Sequence, residues 1–207
     1  MIWDWNGTLF NDVEWCIKVM NSMLSERDLH QISGVSEYHN MFDFPVINYY
    51  KNVGFDFLKE PFEDLAREFI DRYHSGKTGN CKLNDESEFV LESIRKKQIT
   101  QIILSASEIG NLLSQMSEFD ISHYFDEILG ISDIYAGSKI DLGLEYIAGS
   151  GVKNGVLIGD TEHDFEVANA LGIDCLLVTT GHQSRERLLT CGVPVLDDFR
   201  QIIEYIG

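Results

Sequence analysis

Ile2-Trp3-Asp4-Trp5-Asn6-Gly7-Thr8-Leu9-Phe10 is the stretch that decides how this chain folds. A short apolar run stops at a carboxylate and a glycine-containing turn comes next, which is how an α/β sheet presents a nucleophile at the end of a strand. Gly7 permits a tight backbone path that brings amides close to a phosphate, and the Thr8 hydroxyl can hydrogen-bond locally. Taken alone, an Asp at a strand end is more often a turn or capping residue, so its meaning depends on the rest of the chain.

Downstream, Val13, Ile17, Met20 and Leu24 recur at helical spacing, with Asn11 and Glu14 placed like an N-cap and its reciprocal partner. Pro45 sits where a helix can begin, with Gly54 as its stop. Phe62, Leu65, Ala66, Phe69, Ile70 and Tyr73 form a second stripe that ends at Gly76. Residues 14–79 therefore read as helical. From residue 80 the pattern changes to helices near 86–97 and 108–118 alternating with apolar runs at Ile102-Ile103-Leu104, Glu127 to Ile131, Gly155 to Ile158 and Cys175 to Val178, with Val193 to Leu196 as an edge strand. Such alternation implies βαβ crossovers, hence a doubly wound, mainly parallel α/β sheet with helices on both faces. The expected organisation is a core of residues 1–13 and 80–207 interrupted by a helical insertion at 14–79.

The 207 residues, 44% of them hydrophobic, suffice for a real core. Sixteen basic against thirty-four acidic residues give a formal charge of -18, which argues against nucleic acid and anionic membranes as partners. Cys16, Cys81, Cys175 and Cys191 lie far apart with no Cys-x-x-Cys pair, so they are expected to be reduced thiols and not zinc ligands. With no basic-then-apolar leader and no apolar window of membrane-spanning length, a soluble cytoplasmic protein is expected.

Three further elements carry chemistry. Ser105 comes directly after Ile102-Ile103-Leu104 and precedes a helix start, a placement that suits an anion and equally suits an ordinary N-cap. Lys139, in Tyr135-Ala136-Gly137-Ser138-Lys139-Ile140, would be an ordinary surface lysine but for its position one βα unit later, from which it can reach the same strand ends. Val156-Leu157-Ile158-Gly159-Asp160-Thr161-Glu162-His163-Asp164 runs an apolar strand into two carboxylates four residues apart. Clustered carboxylates without basic partners are unfavourable unless a cation sits among them, and hard oxygen ligands beside a phosphate suit Mg²⁺. His163 reads as a solvent-facing helical histidine.

In this order, Asp4 to Thr8, Ser105, Lys139 and Gly159-Asp160-x-x-x-Asp164 resemble the four motifs of the haloacid dehalogenase superfamily. Its common phosphatase form reads Asp-x-Asp-Gly-Thr at the first motif. The resemblance implies a Rossmann-like core, a helical C1-type cap at 14–79, and Mg²⁺-dependent hydrolysis of a small phosphorylated metabolite. It makes Asp4 the nucleophile that forms an aspartyl-phosphate, with Ser105 and Lys139 on the phosphoryl oxygens. It assigns Mg²⁺ to Asp4, the Asn6 backbone carbonyl and Asp160, with Asp164 in or just behind the coordination shell. Val178-Thr179-Thr180-Gly181-His182 and Val195-Leu196-Asp197-Asp198 look like the phosphoglycolate-phosphatase-like branch.

One residue departs from the pattern: the second Asp is Asn6. In the phosphatases that side chain protonates the leaving group and then activates water, and an amide does neither. The expected enzyme is therefore slow or restricted to good leaving groups. Two alternatives stand beside it: a phosphometabolite-binding protein without turnover, and a phosphonatase-like C–P hydrolase, for which Trp5 fits and Lys51 would be the Schiff-base lysine.

Overall fold

In the computed structural model, residues 1–76, 80–131, 138–152 and 154–206 are described. Ile2–Trp3 (β1) is the middle of a six-stranded sheet. It pairs in parallel with Ile102–Glu108 (β4) on one side and Val156–Gly159 (β6) on the other. Glu127–Ile131 (β5) extends the first side, and Asp174–Val178 (β7) and Val195–Leu196 (β8) extend the second, giving the order β5-β4-β1-β6-β7-β8. The chain builds outward from β1 in one direction and then returns to build in the other. The reversal opens a crevice at the C-terminal ends of β1, β4 and β6, the place where open α/β sheets bind ligands.

Two apolar layers clamp this sheet because side chains alternate along each strand. Trp3, Ile103, Ile158 and Leu176 face one core, closed by Val90, Leu91 and Ile94 of Ser87–Lys96 (α5), Leu112 and Met116 of Ile109–Met116 (α6) and Ile202 of Arg200–Tyr205 (α10). Their neighbours Ile2, Ile102, Leu104, Leu157 and Leu177 face the other, closed by Val167 and Leu171 of Glu162–Leu171 (α8) and Leu188 of Arg185–Leu189 (α9), with Ile140 and Ile147 of Lys139–Ser150 (α7) packed alongside. No helix of the described residues is long and apolar enough to cross a membrane.

Val13–Ser25 (α1), Val35–Met41 (α2), Ile47–Asn52 (α3) and Phe62–Ser75 (α4) form a helical block with its own core around Ile17, Met20, Leu24, Tyr38, Tyr50 and Leu65. The entering and leaving chain are joined by a small antiparallel pair, Phe10–Asn11 (β2) with Lys82–Leu83 (β3), which two-residue strands do not announce in sequence. Three local expectations change. The N-cap of α1 is Asp12 with no side-chain cap bond, so Asn11 and Glu14 form no capping box. Asp12 is instead drawn toward the first loop. Helix α3 begins at Ile47, two residues beyond Pro45. The strand carrying Ser105 runs on to Glu108, whose carboxylate caps α6 through the amides of Gly110 and Asn111, so Ser105 is not an N-cap. Gly79 and Tyr135 to Gly137 lie outside the described residues.

Candidate active site

The first loop is built to bring backbone against carboxylate. Asp4 N donates to Ile158 O at 2.9 Å, carrying the β1–β6 ladder one residue past the strand. The chain then turns, with Gly7 N on Phe10 O and Phe10 N on Trp5 O. Gly7 has φ +76°, and a Cβ there would lie 2.3 Å from Asp160 Oδ2, so an L side chain fits neither the torsion nor the space. Asn84 Nδ2 and Thr180 Oγ1 both donate to Gly7 O and hold the turn down. Thr8 Oγ1 donates not locally but across the fold to Asp160 Oδ1, at 2.9 Å.

Asp4, Asp160 and Asp164 are buried and meet at these strand ends, each offering an oxygen within 4.8 Å of the others. Lys139, the first residue of α7, is buried among them with Nζ 2.5 Å from both Asp4 Oδ1 and Asp164 Oδ1. Burial pushes the Asp4 carboxyl up to about 7; Lys139 opposes this, and the Asp164 and Asp160 charges add to it. Asp160 is raised to about 6, chiefly by burial. Asp164 is also buried, yet the charge and hydrogen bond of Lys139 hold it below the ordinary carboxylate range. Burial disfavours the Lys139 ammonium, but Asp164 and Asp4 outweigh that and keep it charged.

Asp164 has a double task. Its Oδ2 accepts from the Thr161 amide and hydroxyl and from Asp160 N, closing the capping box of α8, while Oδ1 takes Lys139. Both oxygens are engaged, one by Lys139 and one by the N-terminus of α8, so Asp164 fixes Lys139 against the helix start. Ser105 is buried in the cavity wall next to this cluster, its Oγ accepting from Ser107 N.

A second ring of polar groups escaped the sequence reading. Asn6 Nδ2 donates to Asp12 Oδ2 at 2.9 Å and to Tyr73 Oη at 3.2 Å, and its Oδ1 accepts from Ser107 Oγ at 2.8 Å. Tyr73, from α4, donates to Asp12 Oδ2 at 2.6 Å. The other Asp12 oxygen accepts from Gly7 N and lies 3.3 Å from His182 Nε2. Burial alone would raise Asp12, but the His182 charge and the bonds from His182, Tyr73 and Asn6 hold it low. His182 is the counterpart: burial opposes its charge, while Asp12 lifts it to about 9. Its Nδ1 meets Tyr38 Oη of α2 at 2.8 Å, and its amide donates to Asp160 Oδ2 at 2.7 Å. Only the second Asp of the usual motif being Asn6 hinted at this ring. An amide, not a carboxylate, is what fits beside Asp12.

Between the strand ends and the helical block lies a cavity of about 390 Å³, lined by Asp4, Asn6, Ser105, Lys139, Asp160 and Asp164 on the sheet side. All six residues expected from the sequence are thus brought together. The block is fastened over them by Arg187, which pairs with Glu162 on the sheet side and reaches Asp43 and Phe42 O of the block, and by His39 on Gly181 O. His163 is not simply solvent-facing; it lines the cavity and stacks on Phe44. Lys51 is exposed over the Phe57 ring and does not line the cavity, where Lys139 is the one lysine among the described lining residues.

The haloacid dehalogenase-like hydrolase family matches residues 1–178. No curated protein matches the chain in sequence. Among solved structures, a haloacid dehalogenase-like family protein from Streptococcus pneumoniae superposes with a TM-score of 0.84 at 18% identity, over 100% of this chain and 97% of that one. Protein tyrosine kinase A from Mycobacterium tuberculosis gives 0.82 at 20%, covering 100% and 96%. A predicted phosphoglycolate phosphatase from Haemophilus somnus gives 0.78 at 18%, again covering 100% and 96%. These likenesses concern the fold.

Proposed function

The chain belongs to the haloacid dehalogenase-like hydrolases, and we propose that it is a Mg²⁺-dependent phosphohydrolase acting through Asp4 on a small phosphorylated metabolite. The observation that carries this reading is the buried meeting of Asp4, Asp160 and Asp164 around Lys139 at the floor of the cavity between the sheet and the helical block. A cluster of three carboxylates against one ammonium leaves an excess of buried negative charge; burial raises the Asp4 and Asp160 carboxyls and the neighbouring carboxylates add to it. Its donors are all hard oxygens, which fits Mg²⁺. Asp4, Asp160 and the Asn6 carbonyl would hold the ion, with Asp164 behind them. When bound, it would supply the positive charge that keeps Asp4 ionised and neutralises the transferring phosphoryl group.

In the first step a carboxylate oxygen of Asp4 attacks phosphorus, the ester P–O bond breaks, and its electron pair leaves on the alcohol or phenol oxygen. Lys139 and Ser105 hold the phosphoryl oxygens in line. Water then attacks phosphorus, the P–O bond to Asp4 breaks, and the proton released by water leaves on the phosphate. Residues 14–79 serve as a cap that keeps bulk water from the reacting centre. Asn6 gives no proton to the leaving group, so aryl and acyl phosphates, whose oxyanions are stable, react and alkyl phosphates react slowly.

Phosphate release from an activated aryl phosphate, measured with and without Mg²⁺ and in Asp4→Ala, tests this reading. Release that needs Mg²⁺ and disappears in the variant supports it. A second reading, binding without turnover, is favoured by one fact: every polar atom of the Asn6 side chain is already hydrogen-bonded within the fold. Ligand-induced thermal stabilisation with no phosphate release supports that one.

A further inference from the structure

The wall that the helical block contributes to the cavity is aromatic and apolar: Tyr38, Phe42, Tyr49, Tyr50, Phe69 and Ile70 face the strand ends. Among the described lining residues there is no arginine and no lysine but Lys139, and Lys139 is held between Asp4 and Asp164. The carboxylates beyond the central cluster, Asp12 and Glu108, are both held below the ordinary range, Asp12 by the His182 charge against its burial and Glu108 by the Gly110 and Asn111 amides, and so are negative. The lining histidines stand against other groups: His74 edge-on to Tyr73, His163 beside Glu166 and His182 on Asp12. A leaving group bearing a carboxylate or a second phosphate would be desolvated against this apolar wall, and among the described lining residues it would meet no arginine and no lysine but Lys139.

Tyr49 is buried at 4% exposure within this wall. The space is ample, since an apolar cavity of about 150 Å³ already accepts benzene.

Resting on the phosphohydrolase reading of the same site, we propose that the substrate is the phosphate ester of an uncharged, ring-bearing phenol or apolar alcohol. Its body lies among Tyr38, Phe42 and Phe69. A phenol suits the chemistry as well as the wall. The Asp4–phosphorus bond forms as the aryl P–O bond breaks, and the phenolate departs with the electron pair and takes its proton from solvent, so the proton that Asn6 cannot give is not required. Compact anionic esters of the phosphoglycolate type would desolvate their second charge against the same apolar wall.

Binding and turnover are measured separately in the wild-type protein with Mg²⁺. Calorimetry with phenylphosphonate and para-carboxyphenylphosphonate, which cannot be hydrolysed, should show at least about tenfold tighter binding of the neutral ring, because the added carboxylate is desolvated without a partner. Equal or tighter binding of the carboxylated ring, or binding of neither, overturns the proposal. Ile70→Arg, a half-exposed wall position, should reduce that preference by at least about tenfold. Hydrolysis of phenyl phosphate is the independent arm: its absence with the binding preference intact defeats the hydrolase reading and leaves the ligand class standing.

Discussion

Replacing Asn6 with Asp restores the residue of the common motif, at a position where the structure sets a carboxylate nearby. Asn6 Nδ2 lies 2.9 Å from Asp12 Oδ2, so the substitution puts a second carboxylate against one that is already ionised. Two unit charges relaxed to about 4 Å at an effective dielectric of about 20 repel by about 4 kcal/mol. That equals about three pKa units, which moves the new carboxyl from about 3.9 to near 7. A folded-state pKa raised above the unfolded value means stability lost as pH rises. The penalty starts near pH 4, is about 1.5 kcal/mol at pH 5, and is full, about 4 kcal/mol, by pH 8. For a domain of this size the melting temperature of Asn6→Asp relative to wild type should be about 5–10 °C lower at pH 8 than at pH 5. Adding Asp12→Asn, which returns an amide–carboxylate pair with the partners exchanged, should recover most of the loss. The introduced acid, poised near neutrality, should raise turnover of alkyl phosphates at least about tenfold and of aryl phosphates less. A melting difference that is the same at both pH values would refute the contact between Asn6 and Asp12. A uniform gain across both substrate types would show that the new carboxylate acts on the metal and not on the leaving group.

The same cluster sets other outcomes. Because Asp4 and Asp160 are raised to about 7 and about 6, the metal-free protein should lose stability as pH rises from about 4 to 7, and thermal stabilisation by Mg²⁺ should be small at about pH 5 and near its full value at about pH 8. Lys139→Met removes the single ammonium from between two buried carboxylates, so calorimetry of the metal-free variant should show about 3–5 kcal/mol less stability, with a larger Mg²⁺ rescue than in wild type. Arg187→Ala cuts the tie from Glu162 to Asp43 and Phe42 O, and hydrogen exchange of residues 36–50 should accelerate while that of β1 and β6 does not change.

The residues that could be read in the sequence were those that sit beside their own signal. Asp4, Ser105 and Asp160 each end an apolar run, and period-two alternation in those runs is the same alternation that divides Trp3 and Ile103 from Ile2 and Ile102 between two cores. Lys139 was legible from order alone, since nothing near it distinguishes it from a surface lysine. Asp12 was not legible, because its meaning comes from Tyr73, sixty-one residues away, and from His182 beyond β7. Thr8 likewise looked like a local turn former and proves to hold Asp160 across the sheet. Helix α2 has one buried residue, Tyr38, and therefore no apolar stripe to betray it. The extent of β4 past Ser105 was missed because a serine before a helical pattern is the ordinary cap, and Glu108 took that task through its own side chain.

The claim on which the rest depends is that phosphorus passes through Asp4. Acid quenching during turnover of an aryl phosphate, with mass spectrometry of the peptide that contains Asp4, reads this directly. A phosphoryl group should appear on Asp4 in the presence of Mg²⁺, trapped more strongly because no acid or base at Asn6 speeds its hydrolysis, and should be absent from Asp4→Ala. Turnover that proceeds with the peptide unmodified, or that survives in Asp4→Ala, would contradict it.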